Sequence, residues 1–311
     1  MNNVSGGCLV LGANGFIGSH IVDALAAADY KVRAFDRFGT PEQFQTADNV
    51  ETVRGDLYDE MTLTSALENI DYVFHCFSAT TPYSSDRDPV SDVEKNLLPS
   101  IKIFEQCVQA KVKKVVFISS GGAIYGPIAE EKPASENDAA SPVSPYGVNK
   151  LAIEGYLAYF KRKHGLEYVA YRLSNPYGPR QVTRNNQGVV PTFVEKISRG
   201  EEVTVIGNGT TSRDYVYIGD IGSMIAGSFA QAKQSIYNLG KGEQASLNDI
   251  IAALTDILKK EPIVKYVEEP KTFLKHAGIS TERFEKEFDM SAETSLQAGL
   301  ARTVEAFKAQ E

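Results

Sequence analysis

Short β-rich apolar runs alternate with segments of helical period along the first half of the chain. Strands are predicted over 7–12, 31–35, 51–54, 71–75, 114–119 and 167–172, with helical patterns between them at about 16–28, 60–69, 91–110 and 146–164. Runs such as KVVFIS are apolar without alternation, as expected of strands covered on both faces. The βαβα order therefore predicts an α/β fold with a doubly wound parallel sheet. After about residue 175 the rhythm changes: NPYGPR, RNNQG and IGNGTTS are loop-rich and flank a predicted helix at 189–199 and a short strand at 203–206. RDYVYI adds a strand pattern, and helical patterns follow at 220–231, 246–259 and 293–308. The expected organisation is a first domain over 1–175 that also receives about 214–245, and a smaller lobe built from 176–213 and 246–311. No Pro/Gly/Ser-rich linker separates the two, so they should interleave.

At 311 residues and 42% hydrophobic, the chain can bury a large core. Its formal net charge of -8, with no block of five or more like charges, argues against nucleic acid or an anionic membrane surface as partner. No apolar run reaches the roughly 18 residues that span a bilayer, so a cytoplasmic protein is expected. The three cysteines lie far apart in apolar segments, which suggests buried thiols and neither a disulfide framework nor a zinc site. His20, His75, His164 and His276 show no metal-ligand spacing.

The first chemical signal is LVLGANGFIGSHIVDAL. Gly12, Gly15 and Gly18 fall between a strand and a helix, where absent side chains let the turn tighten and a pyrophosphate approach the positive helix end. With Asn14, Phe16 and Ile17 they form a candidate Rossmann-type dinucleotide turn. Asp36 ends the next strand about 20 residues on, where a carboxylate accepts both ribose hydroxyls of an adenosine and repels a 2′-phosphate, so NAD is favoured over NADP. Arg37 beside it is able to greet the extra phosphate and leaves NADP open. Asp56 and Leu57 follow the third strand, at the edge where an adenine would lie, although a helix N-cap explains an aspartate there equally well.

In SPYGVNK, Tyr146 and Lys150 stand four residues apart, hence on one helical face, with Pro145 suited to a first turn. A free phenol titrates near 10, so a useful base near pH 7 needs a shift worth roughly 4 kcal/mol. One positive charge about 6 Å away supplies ~3 kcal/mol at an effective dielectric of ~20. Lys150 alone falls short; Lys150 with an oxidised nicotinamide covers the shift. The tyrosine thus makes chemical sense only beside a bound cofactor.

GANGFIG, VFISSGGAIYG, SPYGVNK, RLSNPYGPRQ, VVPTFVEKI, VTVIGNG and RDYVYIGD occur in this order. Together, over nearly the whole chain, they resemble the extended short-chain dehydrogenase/reductase family in its NAD-dependent nucleotide-sugar epimerase/dehydratase branch. The resemblance implies that Tyr146 takes the proton of a sugar hydroxyl while a hydride passes to the nicotinamide, and that Lys150 holds the ribose and lowers the phenol's pKa. Ser120 would complete the triad. It stands five residues before Tyr125 where many relatives use four, and Gly121 and Gly122 are expected to absorb the extra residue as a bulge; Ser119 is the fallback. Further cofactor contacts are implied for Phe77, Ser78, Asn96 and Ser174.

The same resemblance implies that Arg213 pairs with the nucleotide's phosphates, a task suited to a guanidinium fork, and that Asn175 meets sugar or phosphate. Val189 with Thr204, Val205 and Ile206 would form the slot for the base, though apolar core explains them equally well. Dehydratases of this branch carry an Asp-Glu pair after the Ser/Thr, where this chain has Gly121 and Gly122, and the 3,5-epimerising branch needs a cysteine that residues 119–126 lack. The expected activity is therefore interconversion of a UDP- or dTDP-hexose at C4 through a transient 4-keto intermediate. An NAD(P)H-dependent 4-ketoreductase of a nucleotide 4-keto-6-deoxyhexose is the alternative, and a non-catalytic dinucleotide sensor a lesser one. The helices at 91–110 and 146–164 have apolar faces that in this family often form a two-fold four-helix interface, so the resemblance implies a homodimer, although core packing against the sheet explains those faces as well. Two departures stand out: HCFSATTP replaces the usual small residues with Phe77 and Ser78, and Arg283 is the sole arginine in KYVEEPKTFLKHAGISTERFEKEF, where relatives place a second phosphate-binding arginine.

Overall fold

The first apolar run becomes strand β1 (Gly7–Leu11), and the glycine turn after it leads into helix α1 (Phe16–Ala27). These and all elements below come from a computed structural model, which describes residues 6–127, 132–183, 188–268 and 278–309. The chain continues through β2 (Lys31–Asp36), β3 (Val50–Arg54), α2 (Glu60–Ala66) and β4 (Ile70–His75). Two short helices, α3 (Pro82–Arg87) and α4 (Pro89–Asp92), lead through a π-turn at Val93–Leu97 into α5 (Leu98–Gln109). Then come β5 (Lys114–Ser120), a helical turn α6 (Gly121–Ile124), α7 (Pro145–His164) and β6 (Glu167–Leu173).

The remaining elements are β7 (Asn175–Tyr177), α8 (Val189–Arg199), β8 (Glu202–Ile206), β9 (Ser212–Arg213), β10 (Tyr215–Tyr217), α9 (Ile218–Ser228), β11 (Ile236–Leu239), β12 (Ala245–Ser246), α10 (Leu247–Leu258), β13 (Ile263–Val267), α11 (Glu282–Phe288) and α12 (Leu296–Lys308). Seven strands share one sheet in the order β11-β6-β5-β4-β1-β2-β3, parallel at every pairing from β6 to β3. Strand order reverses between β1 and β4, with Leu11 beside His75 at their carboxyl ends. In an open parallel sheet, that crevice is where ligands bind.

The chain divides into two compact units. The first comprises Met1–Gly126, Glu136–Leu173 and Gly222–Tyr237, so the returning segment is shorter than the 214–245 expected. One face of its sheet (Leu9, Leu11, Phe35, Val73, Val115, Phe117) packs on Ile103 and Phe104 of α5 and on Ile153 and Leu157 of α7. Burying each such side chain contributes about 1.5–3 kcal/mol, which holds α7 against β5. The second unit comprises Pro127–Ser135, Ser174–Ile221 and Asn238–Glu311. There β7 pairs with β10 and β8 with β13, both parallel, and β9 pairs antiparallel with β12. Helices α8, α10 and α12 enclose a core that includes Phe193, Ile197, Val203, Val205, Leu254 and Leu300.

One local expectation is corrected. Strand β5 stays in regular register with β6 as far as Ser120, opposite Leu173, and the chain then turns helical at Gly121–Ile124. The extra residue before Tyr125 is taken up by that turn and not by a bulge. Among the described residues, no helix is long and apolar enough to cross a membrane.

Candidate active site

Gly12 has φ +81°, and a Cβ there would lie 2.9 Å from the Cα of Phe77, while one on Gly18 would lie 2.1 Å from the Gly12 carbonyl oxygen. Both positions are closed to any side chain. Gly15 is exposed at the N-cap of α1, which carries no side-chain capping bond and no acidic residue in its first turn. The first amides of the helix, those of Phe16 and Ile17, have no intrahelical partner, and the helix dipole makes this end attractive to a phosphate. Asn14 latches the loop after β2: its Nδ2 donates to Thr40 O (3.2 Å) and Oγ1 (3.1 Å), and its Oδ1 accepts from the Gln43 amide at 2.8 Å. Asp36, at the end of β2, is held by the amides of Asn14 (3.0 Å to Oδ2) and Arg37 (2.7 Å to Oδ1). The Arg37 side chain is exposed. Asp56 accepts from the Tyr58 amide at 3.0 Å, whereas the cap of α2 is Asp59, so the N-cap explanation of Asp56 falls away. Leu57 packs on the first core.

Beyond β4, a pocket is lined by His75, Phe77, Ser78, Asp92, Asn96, Tyr146, Asn149, Lys150 and Ile153. It gathers five residues singled out in the sequence: Phe77, Ser78, Asn96, Tyr146 and Lys150. Helix α7 starts here because Ser144 caps it, accepting from the Gly147 amide at 3.2 Å, and Pro145 fits its first turn. The Tyr146 amide, which has no intrahelical acceptor, donates to Ser85 Oγ of α3 at 3.1 Å. One turn on, the buried Lys150 donates to Ile118 O of β5 at 2.8 Å and lies 4.7 Å from the Phe117 ring centroid and 5.6 Å from that of Tyr146.

Burial brings the Lys150 ammonium down to about 8, although the charges of Cys76, Asp92 and Glu154 act the other way. Burial, then the charge of Asp92, pushes the Tyr146 phenol up to about 12. In the chain by itself, then, the phenol is held protonated and Lys150 does not bring it down. Ser120 is the N-cap of α6 but makes no capping bond. Its neighbour Ser119 is buried, and its hydroxyl is committed to Glu154 Oε1 at 2.7 Å, which removes the fallback candidate.

The pocket also contains residues that the sequence did not single out. Asp92 is wholly buried, accepting from Asn96 Nδ2 (2.6 Å), Asn149 Nδ2 (2.6 Å) and the Thr80 hydroxyl. His75 lies stacked on Phe77, with ring centroids 4.3 Å apart. Its Nε2 meets Ser100 Oγ at 2.8 Å, its buried Nδ1 has no partner, and burial brings it down to about 3, so the ring stays neutral. The one sequence signal for this group was the polar pair Asp92 and Asn96, four residues apart in a helical pattern.

The second unit holds Ser174, expected to meet the cofactor, and the expected substrate residues. Ser174 Oγ donates to Asp214 Oδ1 at 3.0 Å. Asn175 donates through its amide (2.9 Å) and Nδ2 (3.3 Å) to Asp214 O. Burial pushes the Asp214 carboxyl up to about 6 despite bonds from the Lys241 and Gly242 amides and from Ser174. Arg213 is half-buried, donates to Ser212 O at 2.7 Å, and is lowered by burial. In β8 the two-residue period decides: Thr204 is exposed and Ile206 half-buried, but Val205 is wholly buried in the second core. The expectation that Val205 lines a base slot is thereby corrected to core packing. Val189 is half-buried against the same core. His276 and the stretch 269–277 of the segment searched for a second phosphate ligand lie outside the described residues, whereas Arg283 lies in α11.

The glycine positions closed to side chains, the unclaimed amides of α1 and a pocket with an orphaned imidazole nitrogen fit a dinucleotide laid across the β1/β4 crevice. Comparison with known proteins agrees. The chain is 32% identical to the crystal structure of UDP-glucose 4-epimerase with UDP-glucose from Thermotoga maritima, with a TM-score of 0.91 over 98% of this chain and 99% of that one. It is 33% identical to the UDP-glucose 4-epimerase of Thermus thermophilus in complex with NAD, with a TM-score of 0.90 over 98% and 100%. UDP-glucose 4-epimerase of Mycolicibacterium smegmatis is 30% identical over 308 residues, 96% of this chain and 98% of the relative. The model of the NAD dependent epimerase/dehydratase family matches residues 8–240, and the chain belongs to that family.

Proposed function

We propose that the chain interconverts a UDP-hexose and its C4 epimer through a transient 4-keto sugar, as a cytoplasmic homodimer. The observation that carries this reading is the meeting of Tyr146 and Lys150 with Phe77, Ser78 and Asn96 in one pocket at the switch point of the sheet. The cofactor that this family uses, NAD, would when bound supply reversible hydride transfer at C4. Gly12, Gly15, Phe16, Ile17 and Gly18 would hold its pyrophosphate and Asp36 a ribose.

Tyr146 takes the O4 proton during oxidation and returns it during reduction. Its phenol, high in the chain alone, requires more positive charge than Lys150 provides before it serves as a base, and a bound oxidised nicotinamide would supply it. Ser120, whose hydroxyl caps nothing, donates to the sugar oxygen and steadies its developing charge. Gly121 and Gly122 offer no carboxylate to expel water, so the keto sugar is not dehydrated, and a Cβ on Gly122 would meet nothing within 4 Å, leaving space for the sugar ring to turn. Support for the dimer comes from Leu98 on α5 and from Val148, Tyr156 and Tyr159 on α7, large apolar or aromatic residues left exposed in the monomer.

The test is incubation with UDP-, dTDP- and GDP-hexoses without added cofactor, read by NMR for the C4 epimer. Interconversion of a UDP-hexose is expected, and Tyr146→Phe should slow it on the order of 10³-fold while retaining bound NAD. Consumption of NADPH on a 4-keto-6-deoxy sugar, with no interconversion, would overturn the reading in favour of a reductase.

A further inference from the structure

The buried carboxylate of Asp92 stands in the wall of the same pocket as Tyr146 and Lys150. Its partners are all neutral donors. Asn96 Oδ1 accepts from the backbone amide of Ala79 at 2.8 Å, which fixes Nδ2 as the atom that faces Asp92. Asn149, on α7 between Tyr146 and Lys150, donates to Oδ2 at 2.6 Å, and Thr80 donates to Oδ1. The Lys150 ammonium, whose charge couples to that of Asp92, is turned to Ile118 O at 2.8 Å. The carboxylate is held by three neutral donors and makes no direct ion pair, so its negative charge, felt by Lys150 across the pocket, stands in a poorly solvated site. Asp92 and Asn96 stand four residues apart at the start of the π-turn, on one helical face, and Asn96 Nδ2 also reaches Asp92 O at 3.2 Å.

We infer that Asp92 biases the pocket electrostatically toward a positively charged nicotinamide ring over the neutral reduced one. It thereby lowers the reduction potential of the bound cofactor. This rests on the NAD-dependent reading above and deepens it: an epimerase must end each turnover with the ring oxidised, and a fixed anion in the wall favours that end state. The Lys150 cation acts in the opposite sense, so the two set the poise between them.

The experiment is a redox titration of the purified holoenzyme against an indicator dye, with the reduced ring read by its near-ultraviolet absorbance. Asp92→Asn keeps shape and removes charge; it should shift the bound oxidised-to-reduced ratio on the order of tenfold toward reduced, a potential higher by about 30 mV. Asn149→Ser removes one donor but keeps the charge and should leave the potential where it was. Should Asp92→Asn fail to fold, Asp92→Ser, with room for a water among the same donors, carries the same expectation. An unchanged potential in the charge-removing variant, or an equal shift in Asn149→Ser, overturns the inference. A wild-type protein that carries no nicotinamide would instead overturn the functional reading beneath it.

Discussion

Lys150 shows what a buried cation, placed for the proposed chemistry, costs in stability. Its ammonium is buried and titrates near 8, against 10.5 in an unfolded chain. Between those values the unfolded state binds the extra proton, so stability should rise with pH there, and below about pH 8 the full cost of burying the cation is present. Lys150→Met in the cofactor-free chain is therefore expected to stabilise by roughly 1–3 kcal/mol at pH 7 while abolishing turnover. Urea unfolding at pH 7 and at pH 10 checks this, since the gap between variant and wild type should close as pH rises. Tyr146 and Lys150 were legible in the sequence because a four-residue spacing is a direct statement about one helical face. Asp92 was not, because an acid on an amphipathic helix reads as solvent-facing until the packing of α7 covers it. Val205 was ambiguous for the opposite reason: an apolar residue in a short strand lines a slot or a core, and only burial decides.

At the level of the element, α7 carries a stripe of Tyr146, Lys150 and Glu154, each four residues from the next. Lys150 and Glu154 are fastened to β5, through Ile118 O and the Ser119 hydroxyl, and Glu154 forms a buried two-pronged bond with Arg172 of β6 (Nε–Oε1 3.0 Å, Nη2–Oε2 2.6 Å). Arg172 also donates to the Tyr125 hydroxyl at 2.9 Å. Burial alone disfavours the Arg172 cation, but the bonds and charge of Glu154 outweigh it and raise its pKa. Glu154→Gln is expected to cost about 3–5 kcal/mol, because an unpaired buried cation remains, whereas Glu154→Leu with Arg172→Met should recover most of that loss. Denaturant melts of the two variants compare these. The long periodic elements of the sheet and its helices were readable in the sequence. The four-residue β11 and the short α3 that anchors Tyr146 were not, since neither is long enough to show a period, and neither was β13, whose IVKYV is apolar without alternation and whose side chains are exposed or half-buried.

At the scale of the whole molecule, the proposed dimer depends on what α7 leaves uncovered. Gly155 is exposed on the same helix as Val148, Tyr156 and Tyr159, and a Cβ there would meet nothing within 4 Å. Gly155→Glu should therefore leave the single chain folded, and even favour the helix by about 1 kcal/mol, yet block close approach of a second copy. Light scattering is expected to give a dimer for wild type and a monomer for the variant. The π-turn ahead of α5 bears on the molecule as a lineage as well as a structure. Such a turn holds one residue more than a straight helix of equal span, so deleting a single codon within 93–97 would let a regular helix bridge the same span and leave Ile103 and Phe104 facing the core. Asn96 lies within the turn and holds the Asp92 carboxylate, so this stretch should tolerate exchange of the exposed Glu94 and Lys95 but not of Asn96.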